Sequence, residues 1–397
     1  MDFFDKRILW VAIAISIYAA RYILGLPDFS SDYVGRYVGN ALRVEGIVVD
    51  ERGKIEVLGF EYLGTFLPLK GNIELVIFGD YIPALGDRVS VFGLLSEPMR
   101  KSPYVGAVIA KPEIRLIRSG EWPAPLLWLN GLKKIFVARL SSVLPEPSAS
   151  LAAGILLGSR EAIPKNILQD FQKTGLTHIL AISGFNIIIM VGFLMYVFSI
   201  FHRRIAVCFS IFIVVIFTLL VGAGASVVRA SIMGSLGLFA QLLGRKSSGL
   251  RALFLAGGIM LLLDPFLLFH DIGFELSFAA TAGILLFGER IKNYLKKIPN
   301  MLGIRDSLAI TLSAQIFTTP LIIFYFRIFS VIAPLSNLLV LPAIPFLMLG
   351  SFLCLIFGQT IIGQIIACPV FLLFNAIIAI VHFLAALPFS FIEIGIS

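Results

Sequence analysis

The sequence predicts a polytopic α-helical membrane protein of about nine spans, with a small external β-rich, OB-like domain inserted after the first span. Hydrophobic residues make up 58% of the 397-residue chain and charged residues only 14%, which excludes a soluble globular protein of this length. Residues 28–120 depart from this pattern, because charges and short β-branched runs are dense there. The chain therefore combines a membrane domain with one water-exposed domain.

The first predicted element is an uncleaved membrane helix within residues 1–27. The apolar run 8–24 is just long enough to cross a bilayer. Lys6 and Arg7 precede it and predict a cytoplasmic N-terminus, because short cytoplasmic segments are enriched in basic residues. Arg21 interrupts the small-residue cleavage site that a signal peptide requires, so the helix is expected to remain in place.

Residues 28–120 predict a small external domain. Five short runs alternate apolar with polar residues and are separated by Gly, Pro and Asp, which is the pattern of strands and turns. Five strands over ~90 residues suit an OB-like barrel. Acidic and basic residues nearly balance, which does not favour a strongly electrostatic surface for nucleic acid.

Residues 121–177 predict amphipathic helices at the membrane surface. The run 132–144 places its apolar residues on one helical face and its basic residues off that face. The run 151–158 is apolar but too short to span. The run 163–173 has Pro164 at a helix start and is again amphipathic.

Residues 178–390 form the predicted transmembrane domain. Eight apolar runs predict its spans, at 179–200, 205–222, 225–243, 252–268, 273–288, 307–326, 332–357 and 361–386. Basic clusters follow the second, fourth and sixth spans of the chain and share the cytoplasmic side with the N-terminus. The β-rich domain and the C-terminus are then external. The Pro-rich run 332–357 is either one span, a broken span or a re-entrant segment.

Several polar residues lie inside these apolar runs, where lipid offers no hydrogen bonds. The candidate channel or vestibule residues are His178, Ser183, Gly184, Asn186, Arg229, Asp271, Glu275, Gln315 and Asn337. His178, Arg229, Asp271 and Glu275 come from three spans at the same predicted depth, which predicts a wet, partly charged vestibule that opens outward.

Seven of the nine candidates also have a purely structural interpretation. Arg229 could extend to the membrane interface, and Asp271 or Glu275 could cap the helix that follows. The remaining interpretations are interfacial exposure for His178, and helix packing or interhelical hydrogen bonding for Ser183, Gly184 and Gln315.

No catalytic or metal-binding motif is present in the sequence. It contains no HExxH, no GxSxG and no P-loop, and its three cysteines show no paired spacing. His270, Asp271 and Glu275 would need a ligand from another helix, such as His178, to hold a metal ion. An intramembrane metal hydrolase is thus the least favoured hypothesis, and no enzyme activity, metal or cofactor is expected.

Four segments between residues 150 and 350 resemble the ComEC competence family in sequence and in order. They are LLGSREAIP…FQKTGLTHILAISGFNI, SVVRASIM, DIGFELSFAATAGI and APLSNLLVLPAIPF. The β-rich stretch 28–120 resembles the external OB-like domain of that family in place and size. The chain departs from the family at Asn186, where His is common, and at Glu275, where Gln is common.

The resemblance implies a channel or permease in the cytoplasmic (inner) membrane that moves single-stranded DNA inward during natural transformation. Arg229 and Arg327 are then expected to meet phosphates, whereas Asp271 and Glu275 repel DNA unless they pair, with Arg229 as the expected partner. The implied partners are single-stranded DNA, membrane lipid, and separate nuclease, DNA-receptor and helicase proteins of an uptake machinery. A homo-oligomer is an open alternative.

The family also has a C-terminal domain that resembles a metallo-β-lactamase. This sequence has no HxHxDH, so it resembles a short form without its own nuclease. A rival hypothesis is a transporter of another anionic substrate on the same scaffold, namely an envelope polymer or a lipid precursor.

Overall fold

A computed structural model describes residues 34–49, 54–62, 65–69, 72–76, 83–98, 105, 107–121, 123–160, 162–180, 182–244, 248–298, 304–388 and 390–393. The predicted first helix within 1–27 lies outside these described residues. The chain divides into two compact units. The first unit is Met1–Gly131 with Leu261–His270, and the second is Leu132–Met260 with Asp271–Ser397.

The first unit contains a β-barrel-like sheet. Its strands are β1 (Ala41–Val48), β2 (Lys54–Tyr62), β3 (Thr65–Pro68), β4 (Asn72–Val76), β5 (Arg88–Ser96), β6 (Ala107–Ala110) and β7 (Glu113–Arg118). β1 pairs with both β2 and β5, and the order β1-β2-β4-β6-β5 therefore closes on itself. β4 and β6 are parallel, whereas the other neighbours in this ring are antiparallel.

The alternation of the strands explains the core of this sheet. In strands such as β4, apolar residues two apart, here Ile73 and Leu75, are buried, while their neighbours are not. The structure has seven strands in this sheet where the sequence predicts five. β3 was not predicted, and the last run is divided at Lys111, whose left-handed φ of 54° turns the chain between β6 and β7.

The remainder of the described chain is mainly helical. The helices are α1 (Ala124–Val143), α2 (Ser148–Leu157), α3 (Lys165–Lys173), α4 (Thr177–Leu180), α5 (Gly184–Val197), α6 (Arg203–Leu220), α7 (Ala225–Leu242), α8 (Gly249–Leu263), α9 (Leu267–His270), α10 (Ile272–Tyr294), α11 (Ile304–Phe326), α12 (Ala333–Val340), α13 (Ile344–Phe357) and α14 (Ile361–Ala385). A short antiparallel pair, β8 (Ile328–Ser330) and β9 (Phe391–Glu393), completes the second unit.

Six helical segments of the described chain are long and apolar enough to cross a membrane. They are α6, α7, α10 with its extension to Lys297, α11, the pair α12–α13, and α14. Shorter apolar helices lie at 148–157, 184–200 and 249–263. The protein is therefore a polytopic helical membrane protein with a small β-barrel-like N-terminal region.

Three predicted segments can be compared with the helices of the structure. The start of the second span and the position of α2 differ from the prediction, and the run 332–357 is interrupted. The second predicted span starts at 179, but its helix α5 starts at Gly184, after an interruption that follows α4. The run 332–357 is interrupted by a 3-10 turn at Leu341–Ala343, where Pro342 cannot donate a helical hydrogen bond. The predicted surface segment 121–177 contains α2, yet all ten residues of α2 are buried.

The main core of the second unit surrounds α2. Helices α13 and α14 pack against α2, and Leu151, Leu347 and Phe374 are each about 1% exposed. The burial of α2 has a simple cause, because this helix consists of small and aliphatic residues on every side and has no polar face to turn outward.

Candidate functional site

Arg229 lies in the first turns of α7, and its side chain is buried with only 7% of the residue exposed. Its Nε donates a hydrogen bond of 2.7 Å to the hydroxyl of Ser277 on α10. Its Nη1 donates to the Thr281 hydroxyl and lies 3.8 Å from the sulfur of Met233. Thr281 is one turn further along α10 than Ser277, so the side chain runs into the helix bundle and does not extend to the interface.

The hydroxyls that bond to this guanidinium group form further hydrogen bonds, which together make a continuous hydroxyl chain. The Ser277 hydroxyl donates to Ser226 on α7 at 3.1 Å, and the Thr281 hydroxyl donates to the Ser277 carbonyl at 2.9 Å. The ring of Phe278 lies 5.9 Å from the guanidinium carbon, close enough for a cation–π contact. Among the described residues, no carboxylate forms an ion pair with Arg229. The positive charge is thus solvated by hydroxyls but not neutralised.

Asp271 and Glu275 have other partners, and the predicted pairing with Arg229 is wrong. Asp271 is the N-cap of α10 and accepts a 2.7 Å hydrogen bond from the Phe274 amide. Both carboxylate oxygens of Glu275 contact the Tyr325 hydroxyl on α11, at 2.8 and 2.6 Å. Asp271 and Glu275 lie at the start of α10, whereas the Arg229 side chain contacts Ser277 and Thr281 further along this helix. The carboxylates and the guanidinium group therefore do not pair.

The segment 175–190 is divided between two helices. His178 lies on the short helix α4, where its Nδ1 is 3.1 Å from the Gly175 carbonyl oxygen and its side chain is exposed. Ser183 occupies the N-cap of α5 in an extended conformation, with φ −105° and ψ 169°. His178 and the later polar residues of this segment therefore do not share one helix.

Asn186 connects α5 to the buried helix α2. Its Nδ2 donates a 3.0 Å hydrogen bond to the Ile155 carbonyl, and its Oδ1 accepts one of 3.2 Å from the Ser183 hydroxyl. The residue is only 2% exposed. These two bonds satisfy the amide in an apolar surrounding, which gives Asn186 a structural role.

Gly184 lies directly against the guanidinium group of Arg229. A Cβ atom at this position would lie 2.8 Å from Nη2 of Arg229 and 3.5 Å from the Cβ of Ala230. A side chain here would displace the arginine. The structure thus brings Gly184 and Arg229 together, a contact that the sequence does not predict.

The other two candidates lie apart from this hydroxyl chain. Gln315 is half-buried on α11. Asn337 is buried on α12, and its Oδ1 has no hydrogen-bond partner among the described residues. No described hydrogen bond joins either residue to Arg229, and whether all candidates face one vestibule stays a prediction.

Sequence reasoning missed four side chains that complete these contacts, namely Ser226, Ser277, Thr281 and Tyr325. Ser277 and Thr281 lie four residues apart, the spacing of neighbours on one helical face, and this spacing could have identified them. Nothing comparable marks Tyr325, which contacts a residue 50 positions away.

The described residues contain no group of three or more His, Cys, Asp or Glu side chains that could hold a metal ion. The four hypothesised ligands are His178, His270, Asp271 and Glu275. His270 lies on the short helix α9, and the other three have the contacts given above. The hypothesis of an intramembrane metal hydrolase therefore has no ligand set in this part of the chain.

Comparison with known proteins agrees with the resemblance found in the sequence. The family model described as Competence protein matches residues 155–397, which is more than half of the chain. The chain belongs to the Competence protein family. It is 28% identical over 221 residues to ComE operon protein 3 of Bacillus subtilis (strain 168), which covers 55% of this chain and 27% of that protein. The chain thus matches only about a quarter of this relative's length. No solved structure matches.

The match contains the whole hydroxyl chain around Arg229. Ser226, Arg229, Ser277 and Thr281 all lie within residues 155–397, as do Gly184 and Asn186. The helices that carry the candidate site therefore lie within the region that the family model matches.

Proposed function

We propose that this Competence protein moves single-stranded DNA inward across the cytoplasmic membrane during natural transformation. The observation that carries the proposal is the guanidinium group of Arg229, which is buried among membrane helices and bonded to hydroxyls, without a carboxylate partner in the described part of the chain. A buried charge without a counter-charge is costly in a membrane. Single-stranded DNA carries one negative charge per nucleotide and would supply the missing charge.

The proposed topology has nine spans. The six long apolar helical segments, the apolar helices at 184–200 and 249–263, and the predicted span at 8–24 make up this number. The N-terminus is cytoplasmic, and the domain at 28–120 and the C-terminus are external. The closed ring β1-β2-β4-β6-β5 supports an OB-like fold for that domain.

The proposed domain organisation follows the sequence. Residues 1–27 form the first membrane helix, 28–120 the OB-like domain, 121–177 the helices that precede the bundle, and 178–390 the transmembrane domain. Separate nuclease, DNA-receptor and helicase proteins are the proposed partners, with assembly into a homo-oligomer as a further proposal.

The test is uptake of labelled DNA by a transformable host that lacks the chromosomal copy of this gene. Wild-type protein should restore uptake, and Arg229→Gln should reduce it by roughly tenfold or more, because a charge-assisted hydrogen bond contributes about 1.5–3 kcal/mol. Arg251→Gln removes an exposed arginine of α8 and is the matched control. Immunoblots of membranes must show equal amounts of all three proteins.

Unchanged DNA uptake in the deletion host would refute the proposed function.

The same buried charge also favours a second candidate function, the transport of another anionic substrate such as an envelope polymer or lipid precursor. That function predicts a deletion host with normal DNA uptake and an altered amount of the polymer or precursor, and Arg229→Gln would reproduce the alteration.

A further inference from the structure

A helix N-terminus and a buried cationic group meet at Gly184. Helix α5 begins at this residue and runs for 14 residues. The first amide groups of an α-helix have no acceptor within the helix, and the aligned peptide dipoles give this end a partial positive charge of about half an elementary charge.

The N-terminus of α5 is not capped by the residue that should cap it. A serine at the N-cap ordinarily accepts a hydrogen bond from an amide of the first turn. The Ser183 hydroxyl forms no such bond and donates instead to Oδ1 of Asn186 at 3.2 Å. In the described part of the chain, the amides of Gly184, Phe185 and Asn186 have no acceptor.

One nitrogen of the neighbouring arginine is also free. Nε and Nη1 of Arg229 are bonded to hydroxyls, whereas Nη2 has no hydrogen-bond partner among the described residues. Nη2 is the atom that a Cβ at Gly184 would approach to 2.8 Å. An unpartnered donor of a residue that is only 7% exposed therefore points at the uncapped end of α5.

Two positive groups this close repel each other, and an anion that contacts both of them would offset the repulsion. Neither nearby acid fills this role, because Asp271 caps α10 and Glu275 contacts Tyr325. The start of α5 is not fully enclosed by protein, since Gly184 is half-buried and Phe185 is 41% exposed.

We propose that Nη2 of Arg229 and the first-turn amides of α5 form a binding site for one phosphate-class oxyanion. Planar guanidinium groups and helix N-termini both favour phosphate oxygens, which accept several hydrogen bonds at once. A phosphodiester of DNA, as the proposed function requires, and a phospholipid headgroup present the same chemistry to this site. The absence of a Cβ at Gly184 is what allows the guanidinium group and the helix end to share one ligand.

The test measures binding of inorganic phosphate to the full-length protein in a maltoside detergent, which contains no phosphate. A ligand that binds only the folded state raises the unfolding temperature by an amount that increases with the logarithm of its concentration relative to its Kd. We expect phosphate to raise this temperature above that in chloride at equal ionic strength. The apparent Kd should increase roughly tenfold or more in Arg229→Gln, which loses the charged donor.

Gly184→Ala is the second variant, and it keeps Arg229. Its methyl group should displace only the flexible end of the arginine side chain, so the fold is retained while the site is lost. Gly192→Ala lies on the same helix with no atom within 4 Å of its added Cβ, and it should bind phosphate like the wild type. Equal phosphate affinity in wild type, Gly184→Ala and Arg229→Gln would overturn the proposal.

Competition identifies the source of the oxyanion. A trinucleotide of thymidine that competes with phosphate assigns the site to DNA, whereas competition by a short-chain phosphatidylglycerol alone assigns it to lipid. Lost DNA uptake in Arg229→Gln together with unchanged phosphate affinity would refute this site and leave the proposed function standing. Phosphate binding that depends on Arg229, together with unchanged DNA uptake in the deletion host, would keep the site and refute the proposed function.

Discussion

Gly283 allows α10 and α11 to approach each other closely, and we predict that Gly283→Ala destabilises the protein. An added Cβ would lie well inside 3.0 Å of the Ser313 carbonyl oxygen and 3.2 Å from a ring carbon of Phe317. The oxygen belongs to the backbone of α11 and cannot rotate away, so the helices must separate by several tenths of an ångström. Overpacking of this kind costs about 1–3 kcal/mol.

The control for this prediction is Gly288→Ala on the same helix. The nearest atom to its added Cβ is 4.0 Å away, which is ordinary van der Waals contact. Both variants gain the same helix propensity, about 1 kcal/mol for alanine over glycine, so their difference isolates the packing term. Thermal unfolding in detergent should place Gly283→Ala at least a few degrees below Gly288→Ala. Equal unfolding temperatures would refute the close approach of the two helices.

Two further predictions concern the acids at the start of α10. Tyr325→Phe removes the contact with Glu275 and should cost about 0.6–1.7 kcal/mol, the range for polar contacts between membrane helices. Thermal unfolding is the measurement, and Tyr196→Phe is the control because Tyr196 is 79% exposed. Equal losses of stability in the two variants would contradict the prediction. Asp271→Ala removes the N-cap and should cost about 0.5–2 kcal/mol in the same assay, whereas Asp271→Asn should retain most of the stability. Equal losses for alanine and asparagine at this position would contradict the cap.

The positions of the helices follow from the sequence because long apolar runs are local signals. Residues 361–386 predict α14, which ends one residue earlier, and 307–326 predicts most of α11. The interruption of 332–357 was one of the predicted alternatives, and Pro342 explains it. The N-cap role of Asp271 was likewise foreseen, because a cap depends only on residues within one turn.

The contacts of Arg229 could not be predicted in the same way. Its partners Ser277 and Thr281 lie 48 and 52 residues away, and the sequence does not say which faces of two helices meet. The burial of α2 and the closure of the β ring through the parallel pair β4–β6 are also non-local. Of these, the contacts of Arg229 and the burial of α2 decide the candidate site.

The buried helix α2 sets a condition on how the protein is made. Ten helical residues extend for about 15 Å, half the thickness of a bilayer core, so this segment cannot be inserted as a membrane span on its own. Its packing partners, α13 and α14, are synthesised after it and begin only at residues 344 and 361. The Ile155 carbonyl, which accepts the hydrogen bond from Asn186, therefore has its final packing partners only after α13 and α14 have been synthesised. Biogenesis of the candidate site is consequently complete only when the C-terminal helices have entered the membrane.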